Sequence, residues 1–337
     1  MKEESGVGPR LDTISARSVA GDEAVCASRG ISTATQSAFE FQLDNLQINT
    51  GGVIGFSAKH IESGDEISVN GHVRFKMAST AKVVIAACVL AMVDRYKIRL
   101  DQLVEISTRE TEALGDIAAS IVHPGVMLSV QNLIELMIVR SSNTATDSLL
   151  RIIGGPKFVA EWLQVLDVTG LVVNSTFTEL SQQFYELTAD MLPYKEMRAR
   201  FPHDADLDRC DELVRPHFED SDGDSTSPHA MTEFLSKALT TAEVLGQRSR
   251  AFLTGAMGRC QTAQRRMKGL FPDAVPVFRK SGWGGGTVSD VGLVTLPQSR
   301  GHLILSAYIK LSDAPLSTRD RAIAELSRSA YDYFATR

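Results

Sequence analysis

The 337-residue chain has few of the features that quickly assign a protein to a class. Its four cysteines, Cys26, Cys88, Cys210 and Cys260, are scattered without a C-x-x-C pair or tight spacing. That pattern excludes a zinc ribbon and a disulfide framework and leaves ordinary thiols. The seven histidines form no H-E-x-x-H or other paired spacing, so neither a metal nor any other cofactor is expected. "DSDGD" at 220–224 lacks the bidentate glutamate of a calcium loop and reads as a polar turn. No apolar run approaches the length that spans a bilayer, and the first 25 residues lack the apolar stretch of a secretory signal. As written the chain is expected to be cytoplasmic, and periplasmic or secreted only if a leader has been cleaved from it. A net charge of −6 without a Lys/Arg-rich run argues against nucleic acid or an anionic membrane as partner. A small molecule is the expected partner; the oligomeric state is not legible.

What is present is ample apolar content, 43 % of residues, enough for a packed core. Residues 1–32 are rich in Ser, Gly and charge and read as a loosely ordered lead-in. "SAFEFQLDNLQI" has helical spacing, and "GGVIGFSAKHIESGDEISVN" reads as two strands joined by a turn at Ser63-Gly64-Asp65. From Ser79 to about Ile153 the pattern is helical, with Ser129 as an N-cap and Gly154-Gly155-Pro156 as a stop. Strands return in "DVGLVTL" and "GHLILSAYIKL", and a helix is expected over 318–335. A chain that begins and ends with helix and strand around a helical insert predicts a two-lobed α/β protein whose first and last segments share one sheet. The predicted division is an α/β lobe over 33–75 and 230–337, a helical lobe over 76–181, and an acidic, proline-broken surface insertion over 182–229.

Three motifs carry chemistry. In "RFKMASTAKVVIAACVLAMVD", Ser79 and Lys82 lie three residues apart at the start of an apolar helix and project from the same face. A serine hydroxyl needs a base in reach, and a lysine buried among Val83, Val84 and Ile85 loses solvation and becomes one. The bland alternative is a solvated lysine at a helix start. "IVRSSNTATDSLL" places Ser141 and Asn143 at a helix junction, where they could face a cleft or merely cap the next helix. "FRKSGWGGGTVSDVGLV" ends one strand at Lys280-Ser281-Gly282 and turns through glycines into the next. Those glycines either allow close backbone approach to a ligand or serve only the turn.

S-x-x-K, S-x-N and K-S-G in this order are the signature of class A β-lactamases and penicillin-binding proteins. The sequence resembles a class A β-lactamase over roughly residues 33–337, and "DSTSPHAMTEFLSKAL" agrees with that family. The resemblance implies an antiparallel sheet flanked by helices, packed beside an all-helical lobe, with the site in the cleft between them. It implies Ser79 as acylated nucleophile, Lys82 as its proton acceptor, and Ser141 as proton donor to the departing nitrogen. It further implies Asn143 on the substrate's side-chain amide, Lys280 and Ser281 on its carboxylate, and the backbone N–H groups of Ser79 and Trp283 as the oxyanion hole.

Two departures limit the transfer. Ser142 stands where the family has aspartate, a mostly structural position. Class A enzymes also carry Glu-x-x-Leu-Asn beside the site, the glutamate activating the water that hydrolyses the acyl-enzyme. The matching stretch here is "FTELS", with Phe177 in the glutamate's place and Ser181 in the asparagine's. A phenyl ring accepts no proton from water, so acylation is expected to survive and deacylation to be slow unless another base serves. Glu179 is the first candidate and Glu186 the second; the alternative is that the lysine serves both steps. The family's carboxylate-binding arginine is also not clearly placed, with Arg300 and Lys310 nearest. The expected function is a serine hydrolase that opens a β-lactam or related cyclic amide through an acyl-Ser79 intermediate. The alternatives are a non-hydrolytic penicillin-binding protein that traps its acyl group, an intracellular amidase or esterase, and a D-Ala-D-Ala peptidase.

Overall fold

A computed structural model describes residues 26–27, 33–117, 121 and 123–336. Apart from Cys26–Ala27, the predicted lead-in over 1–32 lies outside the described residues. Among the described residues six strands form one antiparallel sheet. Their order is Cys26–Ala27, Glu66–Val69, Val53–His60, His302–Lys310, Thr287–Thr295 and Val277–Gly284. The predicted sharing of a sheet by the chain's two ends takes a definite register, with Ile54 opposite Ile309 and Ala58 opposite Leu305.

The sheet is apolar on both faces, and period 2 sorts the side chains. In His302–Lys310, Leu303, Leu305, Ala307 and Ile309 pack into one core with the helices Thr33–Thr50 and Leu316–Ala335. Ile304 and Tyr308 point the other way, into the larger core shared with Pro228–Thr240, Gln247–Gly258 and the helical region.

The helical region centres on Ala81–Asp94, whose residues 81–91 are all buried. A helix apolar all round is stable only when surrounded, and this one is wrapped by Val130–Val139, Asn143–Ile153 and Gln247–Gly258. Ser129 caps its helix by accepting from Asn132 N at 3.2 Å, and Gly154, at φ 100°, ends Asn143–Ile153 in the left-handed conformation that glycine adopts without strain. The helical prediction omits one feature: Leu103–Glu105 and Met127–Ser129 pair as a small ribbon.

The segment after residue 181 is mostly helical, with Phe177–Phe184 followed by Pro193–Arg200, Asp204–Asp211 and Pro216–Glu219. Three of these start on or beside a proline or acidic first turn, as helix N-termini favour. Glu219 is buried and its carboxylate accepts from Arg215 N, Gly286 N, Leu311 N and Thr287 Oγ1 at 2.7–3.2 Å. Three of those bonds leave the segment, two to the turn between Val277–Gly284 and Thr287–Thr295 and one to the end of His302–Lys310, and fasten it to the sheet. Lys310 adds an ion pair with Asp220 at 2.8 Å.

Candidate active site

Ser79 sits in a 3₁₀ turn, Ala78–Thr80, that leads into Ala81–Asp94. Ala78 has φ 47° and Ser141 φ 62°, left-handed conformations that cost a non-glycine residue on the order of 1–3 kcal/mol and are retained where surrounding structure enforces them. Both strained residues flank the chemistry. Lys82 is fully buried, and its ammonium donates to Ser79 Oγ at 3.2 Å, Ser141 Oγ at 3.1 Å, Ser141 O at 2.5 Å and Asn143 Oδ1 at 2.5 Å. Lys280, also fully buried, donates to Ser141 Oγ at 2.9 Å and Ser281 O at 2.7 Å. Ser141 therefore bridges two lysines, and Lys82 bridges two serines.

Burial pulls the Lys82 ammonium well below the usual lysine range, the Lys280 cation pulls it further, and the Asp116 and Asp147 carboxylates oppose both. Burial likewise pushes Lys280 down to about 8. The bland reading of Lys82 as a solvated helix-start charge is therefore excluded by its position.

The helix Asn143–Ile153 is positioned by capping. Ser142 Oγ accepts from Ala145 N at 3.0 Å, which accounts for a serine at that place. Asp116 accepts from the N–H groups of Asn143 and Thr144 and, at 2.5 Å, from Thr144 Oγ1, an anion on a helix N-terminus. The strand that carries Lys280 rests on buried ion pairs. Arg279 meets Asp290 at 2.8 Å, while Arg266 meets Asp320 at 2.6 Å and donates to Gly282 O at 2.5 Å. Gly282 is required by contact: a Cβ there would lie 2.7 Å from Met77 O and 3.0 Å from Ser79 N. Its absence lets the strand pass directly against the nucleophile's backbone. Ser281 is buried and its hydroxyl bonds Thr262 Oγ1 at 2.6 Å. Trp283 is 36 % exposed at the cavity wall.

The Phe177 ring lies over Lys82, its centroid 4.4 Å from Nζ. Its backbone is held by Asp147, which accepts from Phe177 N, Thr178 N and Thr178 Oγ1 at 2.7–2.9 Å. Burial raises the Asp147 carboxyl to about 6 against those donors. Neither the cap that Asp116 places on Asn143 and Thr144 nor this role of Asp147 was read from the sequence; for Asp147 the signal was an acid four residues beyond Asn143 on one helix face, while Asp116 makes a long-range contact.

Glu179, predicted as the replacement base, is corrected by its surroundings. It forms a capping box, its carboxylate accepting from Thr176 N at 2.7 Å and Thr176 Oγ1 at 2.9 Å, and it lines a separate depression with Asn174 and Gln183. The Thr-Phe-Thr-Glu pattern is a helix-start signature, and that local demand turns the carboxylate away from Ser79. Glu186 is exposed on a third depression beside Arg215 and His217. The carboxylates on the Ser79 cavity come instead from the insertion: Asp211 and Asp224. The cavity, about 270 Å³, is also bounded by Lys76, Phe177, Phe184, Tyr185, Phe218 and Trp283.

Comparison with known proteins agrees with this geometry. The profile of the beta-lactamase enzyme family matches residues 38–334. A beta-lactamase from Proteus vulgaris is 26 % identical over 275 residues, covering 81 % of this chain and 88 % of its own. An imipenem-hydrolyzing beta-lactamase from Enterobacter cloacae is 25 % identical over 294 residues, 86 % of this chain and 88 % of its own. Among solved structures, an ancestral class A beta-lactamase superposes with a TM-score of 0.73 at 26 % identity, covering 88 % of this chain and 99 % of that one. With a buried lysine between two serines, a second lysine behind them and a family match along nearly its whole length, the chain belongs to the beta-lactamase enzyme family and is a β-lactamase-like serine hydrolase.

Proposed function

We propose that this enzyme acylates Ser79 with a β-lactam or related strained cyclic amide and releases the acyl group slowly. The observation that carries the reading is the placement of Lys82 Nζ within 3.2 Å of both Ser79 Oγ and Ser141 Oγ. Ser79 Oγ attacks the carbonyl carbon and gives its proton to the neutral Lys82 amine, which burial and the Lys280 cation make available. Charge develops on the carbonyl oxygen, where the Ser79 and Trp283 backbone N–H groups stabilise it by several kcal/mol. The C–N bond breaks as Ser141 Oγ protonates the nitrogen and is refilled from the lysine pair. Asn143 orients the acyl side chain and Lys280 attracts the substrate carboxylate.

Hydrolysis of the resulting ester needs a base for water. Phe177 fills the place beside Lys82 with a ring, and Glu179 is turned away, so the ordinary route is closed. The same observation favours a second reading, a protein that acylates once and holds its ligand. Intact-protein mass spectrometry over time with a reporter penicillin, beside a chromogenic cephalosporin assay, separates the two. A transient adduct with accumulating product supports slow turnover; a persistent adduct without product supports trapping. Ser79→Ala is expected to abolish the adduct in either case, and labelling that persists in that variant identifies a different nucleophile.

A further inference from the structure

The far end of the Ser79 cavity contains two buried charges that do not meet. Lys76 is 1 % and Asp224 3 % exposed, both line the cavity, and no ion pair within 4 Å joins them among the described residues. Asp224 Oδ1 accepts from Asn174 N at 3.0 Å and Ser175 N at 3.2 Å. Its Oδ2 is buried and makes no hydrogen bond of good geometry, with the Ser175 side chain the neighbour that stabilises the carboxylate. The Lys76 ammonium donates to Gly223 O and stands 4.7 Å from the centroid of the Phe218 ring, leaving further N–H donors. An unpaired buried acceptor costs about 1–3 kcal/mol. The same cavity is walled by the rings of Phe177, Phe184 and Phe218, the last lying against Lys76.

Resting on the acyl-enzyme reading above, we propose that this end of the cavity is a specificity subsite for the acyl side chain, which is aromatic along its length and ends in a neutral group that both donates and accepts a hydrogen bond. A terminal hydroxyl or primary carboxamide meets the requirement: its oxygen accepts from Lys76 and its O–H or N–H donates to Asp224 Oδ2. The aromatic portion stacks among the three phenylalanines, where ring pairs prefer offset or edge contacts. Burial raises the Asp224 carboxyl above its ordinary range, opposed by the donors from Asn174 and Ser175, and lowers Lys76, opposed by Asp224 and Asp222. A neutral donor–acceptor group therefore suits the site better than a second full charge. The volume, about 270 Å³, suits an acyl group rather than a whole large substrate.

The test compares two penicillins that differ only at the end of the side chain, phenylacetyl against 4-hydroxyphenylacetyl, by the second-order rate of Ser79 acylation followed by intact mass. The hydroxyl-bearing probe is expected to acylate at least about tenfold faster, because a site built to bond a hydroxyl discriminates against its absence. In Lys76→Met and in Asp224→Asn that ratio is expected to fall toward one, and because it is a ratio it cancels general losses of activity. Lys76→Met leaves the Asn174 and Ser175 anchor intact, so it reads the subsite even where Asp224→Asn folds poorly. A wild-type ratio near one, with both probes acylating, overturns the subsite alone and leaves its polar end to water. A ratio unchanged in both variants does the same. No adduct from either probe overturns the subsite together with the acyl-enzyme reading.

Discussion

The floor and the roof of the cavity are built on different principles. The floor, from Ser79 and Lys82 through Ser141 to Lys280, consists of short-range elements locked by a helix buried over residues 81–91, a carboxylate cap and a hydroxyl cap, and a strand pinned by ion pairs. Its strained residues, Ala78 and Ser141, are where a pre-set geometry demands them. The roof, from Phe177 to Asp224, is a run of short helices that could not stand alone and is tied down at few points, chiefly Glu219. On the reading proposed above, the floor fixes which reaction can begin, whereas the roof decides which acyl group fits and how fast it leaves.

The largest expected effect therefore comes from cutting the roof's tie. Glu219→Ala leaves two backbone N–H groups of the sheet-edge turn and strand end, Gly286 and Leu311, without their acceptor. A loss of about 3 kcal/mol is expected, read by thermal or denaturant unfolding. Amide exchange should rise over 182–224 before it rises in Ala81–Asp94. Uniform exchange across both regions would show that roof and floor open as one unit.

Next is the residue where roof meets floor. Phe177→Glu sets a carboxylate against Lys82, in the place the ring now occupies 4.4 Å from Nζ. A positioned general base contributes about 10²–10⁴-fold, so the adduct's lifetime is expected to shorten about a hundredfold. Removing a buried ring should at the same time cost about 3 kcal/mol. An unchanged lifetime in a folded variant would mean that the roof lacks a water site there.

How much of this was legible divides along the same line. The floor was readable because its chemistry is local: Ser79-x-x-Lys82, Ser141-x-Asn143 and Lys280-Ser281-Gly282 each lie within one element or one turn, and helical spacing says which side chains meet. The sheet was readable from the apolar strands at the two ends of the chain. The roof was not, because its contacts are long-range. Nothing near Glu219 in sequence announces Gly286, Thr287 and Leu311, and nothing near Lys76 announces Asp224 and Phe218. Ser281 shows the limit even in a motif, since its neighbour Thr262 takes the hydroxyl.

A smaller effect tests the floor's electrostatics. In the proposed mechanism acylation needs Lys82 neutral, so its rate should rise with pH through the lysine's lowered pKa and then level off. Lys280→Met removes a cation that holds that pKa down, so the rising limb should move to higher pH. Asp147→Asn removes an anion that holds it up, so above about pH 6, where Asp147 is ionised, the limb should move to lower pH. At a fixed pH on the limb the two changes should therefore alter the rate in opposite directions, Lys280→Met slowing acylation and Asp147→Asn speeding it. Movement of both variants in one direction would assign the limb to another group.

The smallest expected effect falls on the residue whose sequence position most invites a catalytic role. Glu179 spends its carboxylate on Thr176 N and Oγ1, in a depression apart from the Ser79 cavity. A glutamine at the third position of a helix serves a capping box nearly as well as glutamate. Glu179→Gln should therefore change stability by less than about 0.5 kcal/mol and leave both the formation and the decay of the acyl adduct within about twofold. A glutamine cannot take a proton from water, so the substitution separates capping from base catalysis. If decay slows by an order of magnitude while thermal stability stays the same, the roof must rearrange on acylation to bring Glu179 over the ester, and its few tie points would then be hinges rather than anchors.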